Sequence, residues 1–253
     1  MTPLVSGAIV FICVFAGSLG GLALRVRVPD RYLDADSRDA MKLVVGLVST
    51  VTAMVLSLMI AASNAVFVTQ DSDVQQLSAH FVDLDRRLAF YGAETKEIRA
   101  MLREVITAEI QRLWRPGSAT SADLAPAPAT LQGDDVYARI LALKPQSDAQ
   151  RFGQGRALQT IAEMGHLRLL MQEQAGDMIP SPVFAVLLAW LVALFAGFGL
   201  LARRNAMVVT SLLVGALIVA GAIFLILETR HCYTGLIQIS SAPMKRALAQ
   251  IGR

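Results

Sequence analysis

Charged residues are scarce in this chain, and so are the side chains on which metal sites and covalent enzymes depend. Of 253 residues only 17% are Asp, Glu, Lys or Arg, whereas a soluble domain carries about 25%. Two cysteines and three histidines, at positions 80, 166 and 231, are too few and too scattered for a disulfide framework or a zinc site. The motifs H-E-x-x-H, G-x-S-x-G, C-x-x-C and the phosphate loop are missing. We therefore expect no enzyme, no cofactor and no metal site, and the net charge of +3 gives no reason to expect nucleic acid as a partner.

Apolar residues, by contrast, make up 55% of the chain, and the mean hydropathy is +0.53. They are concentrated in four stretches that carry no charged residue: Leu4–Leu24, Leu43–Gln70, Val183–Ala202 and Ala206–Leu227. A helix of about 20 apolar residues crosses the hydrocarbon core of a bilayer, and a helix satisfies its own backbone hydrogen bonds there. The sequence therefore predicts an integral membrane protein with four transmembrane helices in contact with the lipid bilayer.

The polar residues form one block between the second and third spans. Apolar residues in this block recur every three or four positions, which is typical of amphipathic helices. We therefore expect an all-α integral membrane protein with a helical extramembrane domain inserted between the second and third transmembrane helices. The expected boundaries are 1–70 for the first helix pair, 71–180 for the domain, 181–228 for the second pair and 229–253 for an amphipathic C-terminal tail.

Four helices are predicted around and within this domain. Their ranges are 74–91, 98–113, 134–143 and 147–175. We expect Gly92 to interrupt the first of them, and we place Glu109 and Arg112 among the charges on the solvated face of the second. The segment from Pro116 to Pro128 is rich in Ala, Pro, Ser and Thr, which predicts a loop or flexible linker.

Basic residues are unevenly distributed around the spans. Seven lie in the joint between the first two spans or in the joint between the last two: Arg25, Arg27, Arg31, Arg38, Lys42, Arg203 and Arg204. Both joints must lie on one side of the membrane, and short cytoplasmic loops are enriched in Lys and Arg. Although the tail is also basic, we expect both joints in the cytoplasm of a bacterial cell. The termini and the central domain would then lie outside its inner (plasma) membrane.

Small and polar residues follow one face of the second span. Gly46, Thr50, Ala53, Ser57, Ala61 and Asn64 are spaced by three or four residues, and Ser49 and Thr52 lie close to the same side. Hydroxyl and amide groups on such a face could line a water-filled path. The small residues could equally permit close packing against another helix. The candidates for lining a pore are Ser49, Thr50, Ala53, Ser57, Ala61 and Asn64.

The first span and the end of the fourth span each carry one further feature of interest. In the first span, Gly17 and Gly21 form a G-x-x-x-G pair, which predicts helix packing. At the end of the fourth span, Glu228 is a membrane-boundary charge close to Arg230. An acid inside a membrane is a functional candidate, but at the boundary Glu228 could instead meet water or pair with Arg230.

Charged and apolar residues outside the spans suit structural roles. Asp30, Asp34, Asp36 and Asp39 in the first joint alternate with arginines, which favours an ion-pair network and a helix cap over a cation site. In the tail, Met244, Leu248 and Ile251 share one helical face. This pattern predicts a short helix at the membrane interface, whereas the preceding segment 235–241 could pack against the base of the domain or re-enter a vestibule.

Short motifs spread over nearly the whole chain carry a resemblance. They are Val28-Pro29-Asp30, Ser37-Arg38-Asp39, Leu84-Asp85-Arg86-Arg87-Leu88-Ala89-Phe90-Tyr91-Gly92, Phe198-Gly199-Leu200, Arg204-Asn205-Ala206, Ala222-Ile223-Phe224-Leu225-Ile226-Leu227-Glu228 and the tail segment Gly235-Leu236-Ile237-Gln238-Ile239-Ser240-Ser241-Ala242-Pro243. On these motifs the chain resembles the bestrophin-like family, a bacterial membrane family of unknown function. Where members commonly have Ala-Pro-Arg-Asn, this chain has Ala202-Arg203-Arg204-Asn205.

The resemblance implies a layout and a class of function. Bestrophins are pentameric anion channels with four spans and a helical domain between spans two and three. They keep that domain in the cytosol, opposite to the side that the charges predict here, and none of their pore or calcium-binding residues maps onto this chain. We expect a homo-oligomeric membrane channel for small anions. The alternative is a non-conducting membrane scaffold or sensor whose helical domain binds a protein partner.

Overall fold

The computed structural model describes residues 3–27, 35–114, 129–176, 181–230, 232–233 and 235–252. These residues form α-helices, one short 3-10 turn and no strand. The helices are α1 (Pro3–Arg27), α2 (Ala35–Tyr91), α3 (Lys96–Leu113), α4 (Ala129–Leu141), α5 (Asp148–Gly176), α6 (Ser181–Leu201), α7 (Ala206–Arg230) and α8 (Ala242–Gln250). The chain divides into two compact units. Unit 1 is Met1–Ala65 with Met178–Thr229, and unit 2 is Val66–Asp177 with Arg230–Arg253.

Four of these helices, α1, α2, α6 and α7, are long and apolar enough to cross a membrane. They contain the four apolar stretches of the sequence except for Ala202, which follows α6. The second span and the predicted helix over 74–91 belong to one continuous helix, because α2 runs for 57 residues without interruption. The physical reason is that no Gly or Pro occurs between Leu47 and Tyr91, so nothing in the segment ends the helix.

Unit 1 is a bundle of the apolar helices. Helices α1 and α6 pack along each other in parallel, and at their C-terminal ends Arg25 donates a hydrogen bond of 3.5 Å to the carbonyl of Leu200. Near the other end of the unit, Ser63 of α2 donates to the carbonyl of Ile226 in α7 at 3.4 Å. The C-terminal ends of α1 and α6 therefore lie at the same end of unit 1. The core includes Val10, Val14, Leu191, Phe195, Ala216 and Ile223.

Unit 2 is built from the last part of α2, helices α3 to α5 and the tail. Gly92 has a φ of 135°, which favours glycine, and it reverses the chain between α2 and α3. The Thr95 hydroxyl donates to the carbonyls of Leu88 at 2.5 Å and Gly92 at 2.8 Å, and these bonds hold the turn. The predicted interruption at Gly92 is confirmed. The core includes Leu77, Phe81, Leu84, Leu102, Ile106 and Ile140.

Periodicity located most helices of unit 2 well. Helices α3 and α5 confirm the predicted helices over 98–113 and 147–175. Helix α4 begins and ends earlier than the predicted 134–143, and Leu143 lies beyond its last residue. The predicted linker from Pro116 to Pro128 lies outside the described residues.

The tail completes the core of unit 2. The α8 side chains of Met244 and Ala247 are buried, and so is Ile251 just after the helix. The Trp114 indole donates to the carbonyl of Ile239 at 2.8 Å, and Arg103 donates to the carbonyl of Ile251 at 3.3 Å. The apolar face of α8, predicted for a membrane interface, therefore packs against the core of unit 2 instead. Ile239, in the segment expected to pack against the domain or to re-enter a vestibule, is buried in the same core.

Candidate functional site

Helix α2 presents three chemically different faces in its apolar part. The first face points into unit 1: Thr52 and Ser63 are buried, and Leu56 and Met59 pack against the core of that unit. The expectation that Thr52 lies with the small and polar residues is wrong. Thr52 is 4% exposed, because it falls on the side of α2 that the neighbouring apolar helices cover.

The second face carries the small and polar residues. Thr50, Ala53, Ser57, Ala61 and Asn64 are all exposed within the single chain, and Ser49 is half-buried at the border with the first face. The helix therefore brings five of the six pore-lining candidates together on one uncovered surface. We call this surface, with Gly46, the polar face of α2.

The third face carries large apolar side chains. Leu43, Leu47, Val51, Met54 and Leu58 are between 41% and 76% exposed. Side chains of this type suit contact with lipid or with another apolar helix. The polar face of α2 thus lies between a face buried in unit 1 and a face made of large hydrophobic residues.

Hydroxyl groups near the polar face bond to their own helix. Ser49 donates to Val45 at 2.7 Å, and Ser57 donates to the carbonyl of Ala53 at 2.8 Å. Thr50 donates to the carbonyl four residues earlier at 3.1 Å. Each hydroxyl therefore satisfies its donor inside the helix and presents oxygen lone pairs outward. An anion would need these hydroxyls to rotate, or would use the amide N–H groups of Asn64.

Glycines allow α1 and α6 to approach closely. A Cβ atom built on Gly17 would lie 2.8 Å from Cγ1 of Val192, and one on Gly21 would overlap the carbonyl of Ala196. A Cβ atom on Gly199 of α6 would overlap the carbonyl of Ser18. The G-x-x-x-G residues thus lie in a backbone-to-backbone contact, and Gly199 completes it from the other helix.

The remaining charged candidates occupy different surroundings. Glu228, near the end of α7, is 3% exposed, whereas Arg230 is half-buried. In the first joint Lys42 pairs with Asp39 at 2.8 Å on the surface. Arg31, Asp30 and Asp34 lie outside the described residues. In the described part of the chain, no group of three His, Cys, Asp or Glu side chains could hold a metal ion.

A charged cluster inside unit 2 was missed by the sequence analysis. Glu109, expected on the solvated face of α3, is 1% exposed, so that expectation is wrong. It is buried because Arg112 donates a hydrogen bond of 2.9 Å to its Oε1 and Arg168 of α5 lies 3.8 Å from the same oxygen. The only sequence signal was the Glu109–Arg112 spacing, which also fits an exposed helix pair.

Next to this cluster, two side chains of the tail are shielded from water. Burial raises the pKa of the Cys232 thiol to about 11. Burial, with smaller contributions from Cys232, Asp73 and Glu109, also raises the pKa of Tyr233. Both groups therefore stay protonated at neutral pH. Cys13 and Cys232 are not joined by a disulfide bond.

A comparison with known protein families shows to which family the chain belongs. A family model described as Bestrophin-like domain matches residues 12–244. The chain belongs to the bestrophin-like family. The match extends from within α1 to the beginning of α8, so it includes residues of both units. No curated protein and no solved structure matches the chain.

Motifs quoted for the bestrophin-like resemblance have structural roles here. Asp85, in the segment 84–92, accepts two hydrogen bonds from Arg99, at 2.7 Å from Nε and 2.9 Å from Nη2. Gly199 makes the close contact with α1. Ile239 of the tail motif is buried and accepts the hydrogen bond of Trp114. These motifs therefore hold each unit together internally.

Proposed function

We propose that this bestrophin-like protein forms a homo-oligomeric channel for small anions, in which the polar face of α2 lines a water-filled path. The observation that carries this proposal is the separation of small and polar residues from large apolar residues on the same uncovered helix. Only 6% of the most apolar segment of α2 is buried inside the chain, against 33% for α1 and 28% each for α6 and α7.

Self-association follows from the poor coverage of α2. A face with two hydroxyls and an amide gains little from lipid tails, because hydrocarbon offers Asn64 no hydrogen-bond partner. The large apolar face, with Leu47, Met54 and Leu58, suits lipid or the flank of a neighbouring subunit. Copies arranged around a central axis would therefore turn their polar faces inward to water.

The preference for anions rests on donors, because the basic Arg38 and Lys42 at the start of α2 are balanced there by Asp36 and Asp39, the latter paired with Lys42 at 2.8 Å. Asn64 supplies amide N–H donors further along the helix. The hydroxyls of Thr50 and Ser57 are the adjustable groups, because they can rotate away from their own helix to meet an anion.

Chloride efflux from proteoliposomes tests this proposal. We expect the wild-type protein to release chloride, and we expect Ser57→Leu and Asn64→Leu to reduce the rate by about tenfold or more, because each puts a large apolar group on the polar face. The control Met54→Leu changes the neighbouring apolar face at nearly constant volume. It should leave the rate within about twofold.

Two results would contradict the proposal. If the wild-type protein releases no anion under varied pH, salt and calcium, the chain does not conduct. If the protein conducts but Met54→Leu and Asn64→Leu change the rate of chloride release to the same extent, the polar face does not line the path. A non-conducting scaffold or sensor is the second candidate, since small residues at these spacings also pack well against a second copy.

We further propose that unit 2 lies outside the inner membrane of a bacterium and that the arginine-rich joints lie in the cytoplasm. Support comes from the basic residues at the joints, including Arg25, Arg203 and Arg204. Phe90 is 92% exposed and gives a direct test. A membrane-impermeant thiol reagent should label Phe90→Cys in cells with a permeabilised outer membrane. Labelling only after lysis would place this unit in the cytoplasm.

A further inference from the structure

A cleft of about 520 Å³ lies within unit 2. Its size falls in the range of pockets that hold small organic ligands. Much of its lining is apolar and comes from helices α2 to α5. The apolar residues include Phe81, Leu84, Leu102, Val105, Val136 and Ile161.

The cleft is lined at one place by the charged cluster described above. Glu109, Arg112 and Arg168 all belong to its lining. The Arg168 guanidinium lies over the Phe81 ring, 5.7 Å from its centroid. Gly133 of α4 leaves room beside it, since a Cβ built there would be 3.5 Å from Nη1 of Arg168. The Arg168 guanidinium is therefore held in place by packing as well as by Glu109.

This cluster has more buried hydrogen-bond donors without a partner than acceptors without one. Among the described residues, Nε of Arg112 and both Nε and Nη2 of Arg168 are buried without a hydrogen-bond partner, and so is Oε2 of Glu109. Buried polar groups are rarely left in this state. Two guanidinium groups face the single carboxylate of Glu109, and a further buried acid, Asp73, acts on the neighbouring Tyr233 from outside the cleft lining. Asp134 also lines the cleft, but it is exposed, so water screens its charge.

We infer that this cleft binds an organic monoanion with an apolar body, its carboxylate held by Arg112 and Arg168 and its body by the apolar lining. A carboxylate accepts hydrogen bonds from guanidinium in a planar, two-point geometry. Both guanidinium side chains line the cleft and are 16% exposed, so their accessible part can meet the carboxylate, whose negative charge offsets their positive charge. This site goes beyond the proposed channel and does not depend on conduction.

Equilibrium dialysis of full-length protein in lipid nanodiscs tests the site with radiolabelled 4-phenylbutyrate, and empty nanodiscs supply the background. The neutral 4-phenylbutanamide has the same apolar body without the charge. We expect it to compete at least about tenfold more weakly than unlabelled 4-phenylbutyrate, since a charge-assisted hydrogen bond is lost. Equal competition would overturn the assignment, because burial in any apolar region or in lipid would explain it.

Two pairs of variants locate the binding. Arg168→Gln should raise the Kd about tenfold or more, while Arg151→Gln, which removes an exposed guanidinium of the same helix paired with Asp148, should not change it. Gly165 lines the cleft, and a Cβ there meets no atom within 4 Å. Gly165→Leu should therefore abolish binding in a folded protein.

The control for filling the cleft is Gly155→Leu, at a position on the same helix that is equally free of neighbours and outside the lining. It should leave the Kd unchanged. If Gly165→Leu binds as well as Gly155→Leu, or if Arg168→Gln is folded and binds as well as Arg151→Gln, the ligand does not occupy this cleft. If Arg168→Gln does not fold, the glycine pair decides.

Discussion

Asp85 of α2 and Arg99 of α3 form a two-point ion pair, with N–O distances of 2.7 and 2.9 Å. Their side chains are 7% and 19% exposed. The hydrogen bond to Asp85 raises the pKa of Arg99, so Arg99 stays charged at any physiological pH. The backbone N–H of Gly252 also points to Asp85, at 3.5 Å. One carboxylate thus ties the hairpin of α2 and α3 to the end of the tail.

Replacing Arg99 by Gln should destabilise unit 2. Removing one partner of a largely buried ion pair leaves an unpaired charge, which costs about 3 kcal/mol. Denaturant titration in detergent micelles, followed by circular dichroism, measures the loss. Arg87→Gln is the matched control, because Arg87 pairs with Asp83 on the surface of the same hairpin and such a pair contributes about 0.5 kcal/mol. Similar losses of stability for both variants would show that the pair of Asp85 and Arg99 contributes no more than the surface pair.

Adding one methyl group at Gly21 should disturb unit 1. A Cβ there overlaps the Ala196 carbonyl, so α1 and α6 must separate, and overpacking of this kind costs about 3 kcal/mol. At Gly20, the next residue, a Cβ meets no atom within 4 Å. Thermal unfolding in micelles should therefore show a clear decrease in Tm for Gly21→Ala and none for Gly20→Ala. A decrease of equal size in both would mean that the contact with Ala196 is not responsible, since the higher helix propensity of Ala favours both variants.

The sequence predicted the positions of the helices better than it predicted which of their side chains are buried against other helices. Charge-free stretches and periodic apolar residues were enough for the apolar helices and for α3, because these signals depend only on local sequence. They could not identify the buried state of Glu109, which requires Arg168 from another helix. They also put Thr52 beside the polar face, since a helical wheel does not say which side the other helices will cover.

Cys232 should resist thiol reagents in the folded protein. Burial raises its pKa to about 11, so at pH 8 about one thiol in a thousand is the reactive thiolate. Mass spectrometry after treatment with N-ethylmaleimide should find Cys232 unmodified in native protein and modified in denaturant. Because the pKa is raised, the reaction should accelerate as the pH rises toward 11. Rapid modification at pH 8 without denaturant would show that the tail does not stay packed in unit 2.

Water on the polar face of α2 is the central claim, and a cysteine scan of that helix tests it most directly. In a Cys13→Ala, Cys232→Ala background, single cysteines replace residues 50–64 one at a time, and a charged methanethiosulfonate reagent probes each in proteoliposomes. We predict labelling at Thr50, Ala53, Ser57, Ala61 and Asn64, and protection at Val51, Met54 and Leu58. Protection at all these positions, or equal labelling of both faces, would contradict the account.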